Sequence, residues 1–275
     1  MITEAAPAKI NLALHVTGQR PDGYHLLSSL VVFAGVGDRL SFDRANELRL
    51  TVTGPLTEGV PSGEDNLILR AAKLFAELPG AAITLEKHLP HAAGLGGGSA
   101  DAAATLRGLG RVLDRDLPDR EAILSLGADI PVCLSSKPQI MAGIGDLLSD
   151  PPALPPLHAV LVNPRVSVPT GPVFAGLSQK ENPPLTPPDW EDFDSFIGWL
   201  SRQRNDLEPP ARALAPQIGD CLDALSREDV ALARMSGSGA TCFGLVETGS
   251  QAARIAARLQ AARPDWWIRA TGILN

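Results

Sequence analysis

The sequence predicts an α+β fold in two domains, residues 1–155 and 156–275. Three observations carry this. Strand-like alternation fills the N-terminal stretch as far as Gly54 before any helical period begins. Strands and helices then mix without the regular alternation of a doubly wound sheet. Finally, the run DPPALPP, residues 150–156, admits no regular element and reads as a linker.

Ile10, Leu12 and Leu14 alternate with Asn11, Ala13 and His15, the period of a half-buried strand. Pro21-Asp22-Gly23 is a turn by composition, and HLLSSLVVF (25–33), RLSF (39–42) and ELRLTVTG (47–54) read as further strands. Leu67, Ala71, Leu74 and Leu78 recur at helical spacing, so a helix is expected over Asp65–Leu78 with Asp65 as its N-cap. AAITLEK (81–87) is a strand leading into a glycine-rich loop. Beyond the loop, Ala102, Leu106, Leu109 and Leu113 share one helical face. Glu121–Leu126 is a short helix closed by Gly127.

After the linker, HAVLVNP (158–164) is a buried strand and NPPLTPPDW (182–190) a second proline-rich loop. A strand at Ala231–Met235, a turn at Gly237-Ser238-Gly239 and a strand at Thr241–Val246 follow. A helix over Ser250–Ala262 and a last strand around Trp267 complete the chain.

Hydrophobic residues make up 44% and charged residues 20% of the 275, the balance of a globular protein with a substantial core. The net charge of -7 argues against a nucleic-acid surface, yet a local positive pocket for an anionic small ligand remains compatible with it. No stretch approaches the ~18 apolar residues of a membrane span. Glu4 and Lys9 interrupt any signal-peptide pattern. Cys133, Cys221 and Cys242 lie far apart in apolar stretches, without metal-binding spacing, and are expected as buried free thiols in a reducing cytoplasm.

The chemistry starts at LPHAAGLGGGSADAAATL, residues 89–106. Gly94, Gly96, Gly97 and Gly98 occupy four of five positions just before helix-forming alanines. Glycine backbone turns successive N–H groups toward one point, and a helix N-terminus adds partial positive charge, so the pair makes an anion site. Gly97 is expected to need positive φ there. The plainer reading is a tight strand-to-helix turn, which needs one glycine rather than four. Gly98-Ser99-Ala100 does not fit a Walker A ending, and Ser99 stands where a dinucleotide fingerprint needs its third glycine.

This loop resembles the phosphate-binding loop of the GHMP kinases, the family of galactokinase, homoserine kinase and mevalonate kinase. PAKINLALHV (7–16) is similar to the family's N-terminal strand motif and MSGSGATCFGL (235–245) to its C-terminal glycine motif. AKINLALHVTGQRPDGYHLLSSL, EDNLI, GADIPVCL, GIGD and VSVPTGPVF resemble, within the family, a kinase acting on a CDP-linked methylerythritol. The fold so implied joins a ribosomal protein S5 domain 2-like ATP-binding domain to a C-terminal ferredoxin-like domain.

The resemblance implies ATP as co-substrate, with Mg2+. It puts ATP on Pro90, His91, Ala92, Ala93, Gly94, Leu95, Gly96, Gly97, Gly98, Ser99 and Ala100, with Asn66 and Lys87 nearby. Ser99 would offer its hydroxyl to phosphate or Mg2+; on plainer grounds it is the N-cap of the next helix. Asp129 would be the catalytic base and Lys9 its cationic partner, where a lone aspartate before Pro131 otherwise reads as a turn residue. A cytosine ring would lie between Tyr24 and Phe174, with polar contacts from His25, Asn11 and Thr170. Tyr24, the only tyrosine, otherwise reads as an aromatic covering a hairpin. Related loops often carry an extra glycine where this one reads Pro90-His91-Ala92-Ala93, and Ser-Asn where it reads Ala100-Asp101. No metal ligand set is assigned. The partner expected is a small molecule, with no nucleic acid, membrane or obligate protein partner. The competing readings are a kinase of another alcohol, such as homoserine or a sugar, and a catalytically silent nucleotide sensor.

Overall fold

The computed structural model describes residues 1–76 and 80–275; Leu78, the end of the expected first helix, lies outside them. In chain order the elements begin with β1 (Ile2–Gln19), β2 (His25–Arg44), β3 (Arg49–Thr53), α1 (Leu67–Ala72) and β4 (Ala81–Glu86). Next come α2 (Gly97–Leu113), α3 (Arg120–Leu126), α4 (Ile130–Ser135), β5 (Gln139–Gly143), β6 (Leu147–Ser149) and β7 (His158–Asn163). The C-terminal run is α5 (Thr170–Ala175), α6 (Phe193–Ser201), α7 (Glu208–Leu214), α8 (Gln217–Ser226), β8 (Leu232–Met235), β9 (Cys242–Val246), α9 (Gly249–Ala262) and β10 (Trp267–Leu274).

The chain forms two compact units, neither continuous in sequence. The first holds Met1–Lys9, Gly37–His91 and Gly96–Ser136; the second holds Ile10–Val36, Ala92–Leu95 and Lys137–Asn275.

In the first unit the far half of β2 pairs antiparallel with β4, Leu40 opposite Leu85 and Phe42 opposite Ile83. β3 runs parallel to β4, so the intervening segment with α1 is a crossover. α2 packs against α1 and α4. Its buried face includes Ala102, Leu106 and Leu109 of the expected stripe.

Two expectations shift here. The strands expected at 25–33 and 39–42 are one strand, because the glycines between them stay extended. A β-carbon on Gly37 would lie 2.6 Å from the Cα of Pro7, so only glycine lets β1 pass that close. Helix α1 is capped by Asn66, not Asp65: its Oδ1 accepts from the Ile68 N–H at 2.8 Å, while its Nδ2 donates to the Pro61 carbonyl at 2.6 Å.

In the second unit β10 joins the near half of β2 to β7, with Ile273 opposite Ala34 and Trp267 opposite Asn163. β7 then pairs with β9 and β9 with β8, all antiparallel. Val160 and Val162 of β7 pack with Ile218, Cys221 and Leu225 of α8 and with Ile255 and Leu259 of α9. Those helical positions recur every three or four residues, as a one-sided apolar stripe requires. α9 starts from a capping box in which Thr248 accepts from the Gln251 N–H, so the expected helix begins one residue early, at Gly249.

Helices α4–α8 and the hairpin β5–β6 were not among the elements expected from sequence. Pro209 and Pro210 occupy the first turn of α7, where a missing N–H costs nothing. Cys133, Cys221 and Cys242 are buried free thiols as expected. Burial pushes the Cys133 thiol up to about 12, so it is no nucleophile.

Candidate active site

The glycine loop runs from the end of β4 to α2. Gly94 and Gly96 hold φ of 72° and 61°, the left-handed region that glycine alone enters freely. Gly97 does not: it is the first residue of α2, with Gly96 as N-cap and Ser99 three places inside. Ser99 is therefore not the N-cap, and the need for positive φ falls on Gly96. Gly96, as N-cap, has no side chain to cap this helix start, so the N–H groups of its first turn point to an end suited to an anion. Ala92 also adopts a positive φ, 49°, where the resemblance puts an extra glycine. His91 is exposed, while Leu95 and Ala100 turn inward to the core and anchor the loop.

Lys9 is the last residue of the first unit's β1 segment. It is buried, and its Nζ donates to Oδ2 of Asp129 at 2.8 Å. Asp129 stands at the N-cap of α4 without capping it; its carboxylate faces Lys9 and keeps 39% of its side-chain surface open. A β-carbon on Gly96 would lie 3.0 Å from Cε of Lys9. The lysine stem thus runs along the loop's left-handed glycine and delivers its ammonium to the carboxylate. Cation, carboxylate and helix N-terminus meet within one unit.

A second charge cluster lies under the same helix end. Lys87 Nζ is held between Oδ2 of Asp38 and Oδ2 of Asp101, the latter at 3.1 Å, and all three are buried. Oδ1 of Asp38 accepts the N–H of His88 at 2.6 Å and of Leu89 at 2.8 Å. Burial would lower the Lys87 pKa, but the facing Asp101 and Asp38 carboxylates outweigh it and hold it above the usual lysine value. Burial drives the Asp101 carboxyl up to about 7, against the pull of Lys87.

That shift has a stability consequence. An acid whose folded pKa lies above its unfolded 3.8 binds an extra proton in the folded state between those values, so stability declines as pH rises from about 4 to about 7. Thermal melts of Asp101→Asn should lack this decline and exceed wild type at about pH 8. Parallel curves for the two proteins would show that Asp101 titrates like an exposed aspartate.

In the second unit Tyr24 follows the Pro21–Gly23 turn, which closes as Arg20 N donates to the Tyr24 carbonyl at 2.8 Å. The residue is 60% exposed. The ring of His25 lies 4.8 Å from that of Phe174 on α5, tilted by 31°. Burial, then Lys180, lowers the His25 pKa, and its Nε2 is a buried atom with no hydrogen-bond partner among the described residues. Thr170 Oγ1 and Ser238 Oγ are 3.0 Å apart. Asn11 donates from its side chain to Ser29 Oγ at 2.8 Å and from its backbone to Ser236 Oγ at 3.1 Å. Ser236 Oγ in turn donates to the Gly94 carbonyl at 2.9 Å, bracing the glycine turn at 237–239 against residue 94.

Three positioning side chains escaped sequence reading. Asp38 stands alone between the strands expected at 25–33 and 39–42. Asn205 donates to the carbonyls of Met235 and Gly237, both at 2.8 Å, and so shapes the 237–239 turn. Arg234 donates to the carbonyls of Leu12, Leu200 and Gln203. All three act on backbone far away in sequence, which no local pattern announces.

The model of the GHMP kinase N-terminal domain matches residues 66–148, and that of the GHMP kinase C-terminal domain matches residues 181–265. The chain belongs to the GHMP kinase family. This GHMP kinase is 58% identical over 270 residues to a protein of Dinoroseobacter shibae named 4-diphosphocytidyl-2-C-methyl-D-erythritol kinase, covering 97% of this chain and 93% of that one. A Jannaschia relative of the same name is 55% identical over 273 residues, covering 98% and 96%. A crystal structure of 4-(cytidine 5'-diphospho)-2C-methyl-D-erythritol kinase matches over the full length of both chains, with a TM-score of 0.83 and 33% identity. The fold is accordingly that of the GHMP kinases.

Proposed function

We propose that the chain is a 4-diphosphocytidyl-2-C-methyl-D-erythritol kinase. It moves the γ-phosphoryl group of ATP to the 2-hydroxyl of that alcohol, in the non-mevalonate route to isoprenoid precursors. The observation that carries this reading is the meeting of Lys9, Asp129 and the uncapped start of α2. Nearly full-length likeness to relatives of that name supports the choice of substrate. Domain limits of 1–155 and 156–275, a cytoplasmic location and the absence of a protein partner belong to the same reading. Among the described residues no helix is long and apolar enough to cross a membrane.

Residues 90–100 cradle the triphosphate, with the backbone N–H groups of Gly97 and Gly98 at the start of α2 as donors and Asn66 and Lys87 supporting the loop. Asp129 accepts the proton of the acceptor hydroxyl as its oxygen attacks the γ-phosphorus. The bond from that phosphorus to the β–γ bridging oxygen breaks, and ADP departs with the electron pair. Lys9 pairs with Asp129 at 2.8 Å in the resting site and offsets the charge that gathers in the transition state. Mg2+ neutralises phosphate charge when it binds with ATP. No group of three His, Cys, Asp or Glu among the described residues forms a metal cage. The Ser99 hydroxyl would be the chain's own contact to that ion.

Tyr24 and Phe174 stack on the cytosine, and His25 Nε2 meets its edge, which would give that buried atom a partner. Asn11 and Thr170 contact the remainder of the acceptor. Tyr24→Ala should raise the acceptor KM by roughly 5- to 150-fold, the worth of one stacked base, with kcat falling far less and the KM for ATP steady. Tyr24→Phe should be mild. Loss of ATP affinity with acceptor affinity kept would mean the two nucleotide sites are exchanged. Turnover of homoserine or a sugar in place of the cytidylyl alcohol would replace the substrate and keep the chemistry.

A further inference from the structure

We infer that Asp38 is a positioning residue for the phosphate loop, holding both of its ends through one buried carboxylate. This rests on the ATP site proposed above. At the loop's start, Oδ1 takes the N–H groups of His88 and Leu89. Two successive backbone donors on one carboxylate oxygen fix the direction in which the chain leaves β4. At the loop's end, Oδ2 takes the ammonium of Lys87, which also donates to Asp101 inside α2. A β-carbon on Gly97 would lie 3.2 Å from Lys87 Nζ and 3.7 Å from Asp38 Oδ2, so the pair is packed against the first turn of α2. At 2% exposure Asp38 itself is sealed from solvent and from any ligand.

The position of these groups explains the glycine at 97 without positive φ: a side chain there would press on the ammonium. It also gives Lys87 its role. An ammonium already shared by two carboxylates serves the nucleotide by fixing the helix end rather than by reaching out as a free phosphate cation.

The test is a double-mutant cycle on Asp38→Asn and Lys87→Met, read by calorimetric Kd for ATP, acceptor KM and Tm. Asparagine keeps an oxygen for His88 and Leu89 and loses the charge on Lys87. Displacing the loop by about 1 Å costs up to ~10²-fold, so Asp38→Asn should weaken ATP by about 10- to 100-fold and leave acceptor KM within about 2-fold. Lys87→Met should produce a similar loss, and the double variant no more than either single one. Asp38→Ala, which also frees the two N–H groups, should bind ATP more weakly than Asp38→Asn. If Asp38→Ala does not fold, hydrogen exchange at His88 and Leu89 in Asp38→Asn should stay near wild type while ATP affinity falls. Wild-type ATP affinity in folded Asp38→Asn, additive losses in the cycle, or equal weakening of ATP and acceptor alongside a lowered Tm would overturn the inference. A wild-type protein that binds no ATP would instead refute the site itself.

Discussion

Asp129→Asn should lower kcat by about 10²- to 10⁴-fold, the usual worth of a general base, while ATP affinity and fold survive. The amide has the size of the carboxylate and keeps an oxygen for Lys9, so the 2.8 Å contact remains as a hydrogen bond. It cannot accept the hydroxyl proton. The side chain sits at the start of α4 without capping it, so the helix loses no cap in the variant. Steady-state kinetics with both substrates varied separate the outcomes. A near-normal kcat would remove Asp129 from proton transfer and leave catalysis to positioning.

Gly96→Val should weaken ATP binding by about 10²-fold, the upper end of the same 1 Å argument. The residue holds φ of 61°, which β-branched side chains avoid. Its β-carbon would also lie 3.0 Å from Cε of Lys9, so the strain reaches the ammonium that faces Asp129. Calorimetry with ATP, beside circular dichroism to establish folding, reads the effect. Unchanged ATP affinity would make the loop a bare turn. Gly97→Val, at the glycine expected from sequence to need positive φ, meets a different obstacle: it presses on Lys87 Nζ and forces no left-handed backbone.

The outline of the site was legible because its chemistry lies in contiguous stretches. Four glycines before an alanine-rich helix mark a candidate anion site, and Gly96 at the N-cap leaves that helix start without a capping side chain of its own. Lys9 and Asp129 came through motif likeness, and their 2.8 Å pairing is the tertiary fact that periodicity could not supply. The boundaries were blurred by residues with two uses. Gly97 and Gly98 are poor helix formers, yet they serve as the first turn, where the helix start is held by tertiary contacts. Pro209 and Pro210 mark loops in most contexts but open α7 here. Asp38 was invisible for another reason. Its partners are forty-nine to fifty-one residues away along the chain, and a solitary acid in a strand gives no hint of them.

The most direct measurement is mass spectrometry of the products after incubating the protein with ATP, Mg2+ and 4-diphosphocytidyl-2-C-methyl-D-erythritol. The proposed reaction requires the cytidylyl alcohol to gain one phosphoryl group, with one ADP formed for each. Omission of the alcohol should suppress ADP formation. ADP released at the same rate without the alcohol, or an alcohol recovered with its mass unchanged, would contradict phosphoryl transfer at the Lys9–Asp129 site.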